Sequence, residues 1–313
     1  MIPAFALALA ALVTLLPAPA SAYPTKAIEL VVPFPAGGRT DIIARQFAVI
    51  ASKHLGQQMV VVNKTGGGGA VGTAAVIGAP PDGYTLIATT IGNQILRPLS
   101  AQVPYRFDQL AAIGQIAASP LGLATRPDRP WKNLQELAAD AKKRPNEISF
   151  AANLLLLPHL TVAAYAERAG IQLKHVPQTG DAPGITAALG GHVDLVVAAN
   201  STLVSHVRAG AFRVLGTFSA ARDPALPEVA TAREQGYAVM GEPWTGLAAP
   251  PSTPADVLAK LRAVFAAVMK DPEFLAGMQK IGEEPRPLDH AAFAARWKQD
   301  WDEFDTIVKA LKK

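Results

Sequence analysis

Short runs of Val, Ile and Leu alternate along this chain with longer segments of helical period, and few folds accept that alternation. The apolar runs fall at residues 28–32, 59–62, 85–89, 121–125, 148–150, 173–176, 194–198 and 213–217. They are too short for buried helices and lack the strict in-out alternation of a sheet with one wet face, so they read as strands covered on both sides. Between them the spacing predicts helices. In residues 40–55, Ile43, Phe47 and Ile50 recur on one face and Gly56 supplies the stop. Further helices are expected over residues 70–79, 134–143, 160–169, 183–189, 254–269 and 290–311. The fold class that follows is α/β, with mostly parallel sheets flanked by helices.

A chain of 313 residues exceeds one ordinary core and suits two lobes of about 100–200 residues each. No Gly/Ser-rich or Pro-rich linker separates them, so strands are expected to cross directly, once near residues 119–126 and back near 219–227. That division gives one lobe from residues 23–122 and 225–313 and a second from 123–224, with the C-terminal helices packed back on the first.

Residues 1–22 are read apart from the fold. An apolar stretch over residues 4–16 leads into Pro17, Pro19 and the small triplet Ala20, Ser21, Ala22, the pattern of a secretory signal cut before Tyr23. The stretch is short of the roughly 20 residues that span a bilayer. The mature chain is expected to be periplasmic, soluble and monomeric.

Several chemistries are disfavoured. With no Cys there is no thiolate metal site, disulfide or cysteine nucleophile, and the six His are dispersed. The charge surplus is only +4 and no basic stripe is interleaved with aromatics, which argues against a nucleic-acid partner. The motifs G-x-S-x-G, G-x-x-x-x-G-K-[ST] and H-E-x-x-H do not occur. Gly67-Gly68-Gly69-Ala70-Val71-Gly72 spells G-x-G-x-x-G, so an exported nucleotide-dependent oxidoreductase is one alternative. The first glycine, however, stands several residues beyond the strand, and no acid follows at the required distance. No metal, cofactor or catalytic residue is expected.

Binding chemistry fares better. Ala36, Gly37 and Gly38 join a strand to the helix beginning near Thr40, so their N–H groups and the helix start form an anion site in outline. Gly66 to Gly69 repeat the arrangement after the next strand. Asp41 stands beside the first loop either as a first-turn acid that complements the helix dipole or as an organiser of water. Arg39 is a further candidate for an anion in the cleft.

The motifs Tyr23-Pro24-Thr25-Lys26, Leu30 to Gly38 with Asp41, Pro81 to Leu86, His175-Val176-Pro177 with Gly180, Val193-Asp194, Leu226-Pro227-Glu228 and Trp244 to Leu247 recur in this order. Together they resemble the tripartite tricarboxylate transporter receptors, the TctC-like or Bug solute-binding proteins. The resemblance implies a two-lobed periplasmic binding protein of type II-like form, closing like a Venus flytrap on a small organic carboxylate. It also implies delivery to membrane permease subunits. A sensory adaptor for a receptor kinase is the alternative within the same fold.

On that basis the candidate ligand contacts are Pro35, Ala36, Gly37, Gly38, Asp41, Gly67, Gly68 and Thr90 on the first lobe. Asn153, His159, Gln178, Thr179, Gly180 and Asn200 are the candidates on the second. This chain departs from the family where Gln178 replaces the Tyr that usually follows His-Val-Pro. It departs again where Leu154 to Leu157 replace a polar Gly-Ser loop. Leucines facing the cleft would favour a monocarboxylate with an apolar or aromatic body; otherwise the run starts the next helix and packs in the lobe core.

Overall fold

The computed structural model of the chain describes residues 23–311 apart from 153, 155, 179 and 180. The expected signal segment, its processing site and the candidates Asn153, Thr179 and Gly180 therefore lie outside the described residues.

Among the described residues the strands form two sheets. The first contains β1 (Ile28–Val32), β2 (Met59–Asn63), β3 (Thr85–Thr90), β4 (Ala111–Ala118), β10 (Trp244–Ala249) and β11 (Pro285–Leu288), in the order β11-β4-β10-β3-β1-β2. The second contains β5 (Leu121–Thr125), β6 (Ser149–Ala152), β7 (Lys174–Pro177), β8 (Leu195–Ala199) and β9 (Arg213–Thr217), in the order β7-β6-β8-β5-β9. Helices α1 (Arg39–Leu55), α2 (Ala70–Ile77), α3 (Arg97–Ser100), α8 (Ala255–Val268), α9 (Pro272–Lys280) and α10 (His290–Leu311) are interleaved with the first sheet in sequence. Helices α4 (Leu134–Ala141), α5 (Leu157–Ala169), α6 (Asp181–Leu189) and α7 (Asn200–Arg208) are interleaved with the second.

Both sheets are mixed where mostly parallel ones were expected. Strands fed by βα units are parallel: β1 with β2 and β3, and β6 with β7 and β8. The strands on either side of the lobe crossings run the other way: β10 is antiparallel to β3 and β4, and β5 to β8 and β9. A strand arriving from the other sheet has no helix to turn it round, so its sense is set by the crossing.

Only Ser119 and Pro120 separate β4 from β5. The return runs alongside, with Ser119 N–H donating to Pro243 O at 3.1 Å and Leu121 N–H to Gly241 O at 2.8 Å. The return thus falls at residues 241–244, later than the expected 219–227. Thr231 still bridges to Thr217 at the end of β9, and the Asp-Pro and Leu-Pro breakers belong to a loop on which Asp223 closes tight turns.

The first sheet is made close-packed by glycine. A Cβ on Gly246 in β10 would lie 2.4 Å from the Phe293 ring, and one on Gly114 in β4 would lie 2.4 Å from the Phe265 ring. Phe293 of α10 and Phe265 of α8 occupy the space that a side chain would take. Beside Phe293 sit Trp244 and Trp297, each ring 4.9 Å away and edge-on. Helix α10 packs on β4 and also on α5, so the C-terminal helix touches both lobes and not only the first.

Candidate functional site

The first-lobe wall is built at the end of β1. The chain leaves Val32, runs through Pro33 to Gly38 and enters α1; Gly37 takes φ +79°, a left-handed conformation that suits glycine. Asp41, in the first turn of α1 and 2% exposed, holds this loop. Its carboxylate accepts from Gly37 N–H at 2.9 Å, Arg45 Nε at 2.9 Å and Asn63 Nδ2 at 2.9 Å. Burial alone would raise its pKa, but the hydrogen bonds from Arg45, Gly37 and Asn63 outweigh burial and hold it below the ordinary carboxylate value. Both oxygens are therefore engaged by protein donors, and Asp41 acts as a staple of the loop.

The second glycine loop lies next to the first. Asn63 Nδ2 also donates to Phe34 O at 3.0 Å, and a Cβ on Gly69 would lie 3.3 Å from the Phe34 ring. Pro35, Ala36, Gly37, Gly38, Gly67 and Gly68 are all exposed. Thr90 closes the end of β3, where its N–H and Oγ1 both donate to Asn93 Oδ1.

Between the lobes is a cleft of about 560 Å³. Arg39, Ile42, Ile281 and Glu283 line it from the first lobe; Ser119, Leu121 and Pro243 form its floor at the crossing. The second lobe contributes Leu157, Pro158, Asp181, Ala199, Ser201 and Thr202. Those residues stand at or beside the N-termini of α5, α6 and α7, and Arg39 opens α1. Four helix starts thus surround one cavity, each with N–H groups that no residue of its own helix satisfies.

The charges inside are specific. Arg39 grips Glu283 with two bonds, Nε to Oε1 at 2.5 Å and Nη2 to Oε2 at 2.7 Å. Asp181 is half-buried, and burial pushes its carboxyl up despite a bond from Ala199 N–H at 3.4 Å.

None of the described candidate ligand contacts is itself in this lining; Pro35, Ala36, Gly37, Gly67, Gly68, Thr90 and Gln178 lie apart from it, and Gly38, Asp41, His159 and Asn200 are its chain neighbours. Gly38 precedes Arg39, His159 follows Pro158, and Asn200 precedes Ser201. His159 faces the core: its ring lies tilted against His175, 4.2 Å between ring centres, and stacks on Phe150 at 6.0 Å. Burial, and secondarily His175, pushes its pKa down to about 4. Gln178 N–H donates to Ala152 O at 3.0 Å, which extends β6 and β7. Asn200 points at the crossing, with its N–H on Pro120 O and Nδ2 on Asp223 Oδ2, each at 2.8 Å.

The leucine run divides: Leu154 and Leu156 are 57% and 51% exposed, whereas Leu157 is 5% exposed and starts α5 at the edge of the cleft. Asp181, Glu283 and Ser201 were not anticipated. For Asp181 the available signal was an acid directly before Ala-Pro at a helix start; Glu283 lies 244 residues from Arg39, and no local spacing pairs them.

Residues 43–312 match the TctC family, described as the tripartite tricarboxylate transporter family receptor. The chain belongs to the TctC family. A UPF0065 protein of Bordetella pertussis is 34% identical to it over 269 residues, covering 85% of this chain and 83% of that protein. BugT of the same organism is 34% identical over 250 residues, covering 78% and 77%. A TctC solute-binding protein from Polaromonas, solved with no ligand, superimposes with a TM-score of 0.88 at 28% identity, covering 92% of this chain and 99% of that one.

MatC from Rhodopseudomonas palustris with bound malate gives a TM-score of 0.68 at 27% identity, covering 91% and 100%. A second R. palustris protein, solved with adipate, gives 0.69 at 27%, covering 92% and 97%. As a TctC protein the chain is a solute-binding receptor of two lobes, each an α/β sheet flanked by helices. Among the described residues no helix is long and apolar enough to cross a membrane.

Proposed function

We propose that this TctC receptor captures a small organic carboxylate in the interlobe cleft, closes on it, and delivers it unchanged to a tripartite permease. The observation that carries the reading is the ring of helix N-termini from α1, α5, α6 and α7 around the cleft. An anion is stabilised there by backbone donors without a dedicated arginine clamp, and Arg39 is already committed to Glu283. Malate and adipate in the two related structures are carboxylates, which supports the class of guest. Ile42, Leu157, Pro158, Pro243 and Ile281 supply apolar wall for the rest of it.

We infer that the arrangement of the lobes is that of the open receptor. At matched identity and coverage, the whole chain superimposes far better on the ligand-free relative than on the two with ligands. A hinge rotation between unchanged lobes has that effect. One lobe comprises residues 23–118 and 244–311, the other residues 121–241, with the two hydrogen-bonded crossing segments as the hinge. The protein is exported, loses residues 1–22, and works as a monomer with no catalytic step.

Mass spectrometry of the small molecule retained through native purification tests the reading. A carboxylate recovered intact after incubation is the expected result; recovery of a converted product, or of a guest with no acidic group, would overturn it.

A further inference from the structure

We propose that Asp181 reads a positive charge on the guest, so that the ligand of this cleft is a zwitterion: a carboxylate that also carries an ammonium or another cationic nitrogen. The inference rests on the carboxylate reading above and names the ligand class more narrowly.

The charges lining the cleft are one cation, Arg39, against two anions, Asp181 and Glu283. Arg39 spends its guanidinium on Glu283 through two bonds, which leaves Asp181, among the described residues, as the cleft acid without a cation. Glu303 on α10, outside the cleft, has among the described residues one long bond, from Met240 N–H at 3.4 Å, but other buried acids near the crossing are matched. Asp41 has Arg45, Asp223 has Arg286, and Glu242 and Asp300 share Arg296. Among the described residues Asp181 has one hydrogen-bond donor, Ala199 N–H, at the long distance of 3.4 Å.

Asp181 is also poorly explained as a helix cap. A capping carboxylate bonds the N–H groups two or three residues into its own helix; here the residue two positions on is Pro183, which has no N–H, and among the described residues Gly184 N–H, three positions on, does not bond to Asp181. The bond of Asp181 crosses instead to the end of β8. Its carboxylate is thus a half-buried anion facing a cavity, with no strong partner among the described residues.

A plain carboxylate entering this cleft has to share the helix starts with Asp181, a like charge that has no cation among the described residues. A zwitterion removes the conflict: its carboxylate takes the N–H groups of the helix starts, and its ammonium donates to Asp181 with Ser201 and Thr202 close by.

Matched pairs of acids test this by calorimetry on the mature chain at neutral pH: 5-aminopentanoate against pentanoate, and leucine against 4-methylpentanoate. The amine-bearing member should bind about tenfold or more tightly than its partner, the range of a charge-assisted hydrogen bond. Asp181→Asn should abolish that preference with the melting temperature little changed, and Asp181→Ser should do the same if the carboxamide distorts the helix start.

Equal or tighter binding of the amine-free acids, or of dicarboxylates alone, overturns the zwitterion while leaving the carboxylate receptor intact. Persistence of the preference in both variants also overturns the role of Asp181. A screen in which amines bind and no carboxylate does sinks the carboxylate reading itself.

Discussion

Asp41 shows how a residue singled out for ligand chemistry can serve the ligand through the fold. Both oxygens of its carboxylate are held by protein donors, Gly37, Arg45 and Asn63, so its first contribution is to the shape of the loop. Asp41→Ala should cost about 1–3 kcal/mol of stability, the range for orphaning buried hydrogen-bonding groups, and should weaken ligand binding by releasing the 35–38 loop. Chemical denaturation and calorimetry on the same sample check both. Because its folded pKa is depressed, the contribution of Asp41 is present above the unfolded carboxylate value and is lost as pH falls through the folded one.

His159 gives a second acid-sensitive term. Its folded pKa of about 4 lies below the ordinary 6.5, so the native state binds fewer protons there and stability falls as pH drops between those values. His159→Phe keeps a flat ring on Phe150 and should flatten that limb of the stability curve, read by denaturation at stepped pH. The sequence placed both residues beside the cleft, but not the direction in which either points. A side chain at a helix start can face a guest or the core, and only the packing of Phe150 and His175 decides it for His159.

At the scale of elements, legibility followed composition. Strands of Val, Ile and Leu such as β1, β5 and β9 can be located to the residue, because their apolar runs are bounded by breakers. The strands β4, AAIGQIAA, and β10, WTGLAA, give no such signal because Ala and Gly carry little strand propensity. Their small residues are explained by what lies above them: Phe265 and Phe293 fill the surface that larger side chains would occupy. β11 reads PRPL and is tolerated as a strand only because it is the edge of its sheet.

Gly246→Ala tests this account, since its Cβ would meet Phe293 at 2.4 Å and the Gly114 carbonyl oxygen at 2.7 Å. The ring can move and the backbone cannot. The cost expected is about 1–3 kcal/mol of overpacking, seen as a lowered denaturation midpoint with an unchanged slope. Gly246→Ala combined with Phe293→Leu should recover part of it.

The whole molecule is governed by the tie between its lobes. Helix α10 lies on β4 of one and α5 of the other, and near its end Glu303 accepts from Met240 N–H of the returning segment at 3.4 Å. Burial pushes the Glu303 carboxyl up to about 7, against a smaller opposing pull from Arg168. A raised acid stabilises the native state fully below its unfolded value near 4.5, and that contribution is lost as pH rises through about 7. Glu303→Gln should therefore lose less stability than the natural chain between about pH 5 and pH 8, as measured by melting temperature.

Closure is the larger consequence of the same architecture. Two extended segments at residues 118–121 and 241–244, bonded to each other, can bend or twist together. The cleft then narrows by bringing Ile42 and Ile281 toward Leu157 and Pro158, which removes apolar surface from water and favours the closed form once a guest occupies the polar end. Closing an empty cleft would strip water from Asp181 and from the helix-start N–H groups with no guest to replace it, so the open form should dominate without ligand. Solution scattering on the mature chain should show a smaller radius of gyration on saturation with the ligand recovered from native purification. The ligand-free curve should fit the open coordinates. An unchanged curve at saturation, with the free protein already fitting those coordinates, would show that the guest binds without hinge motion.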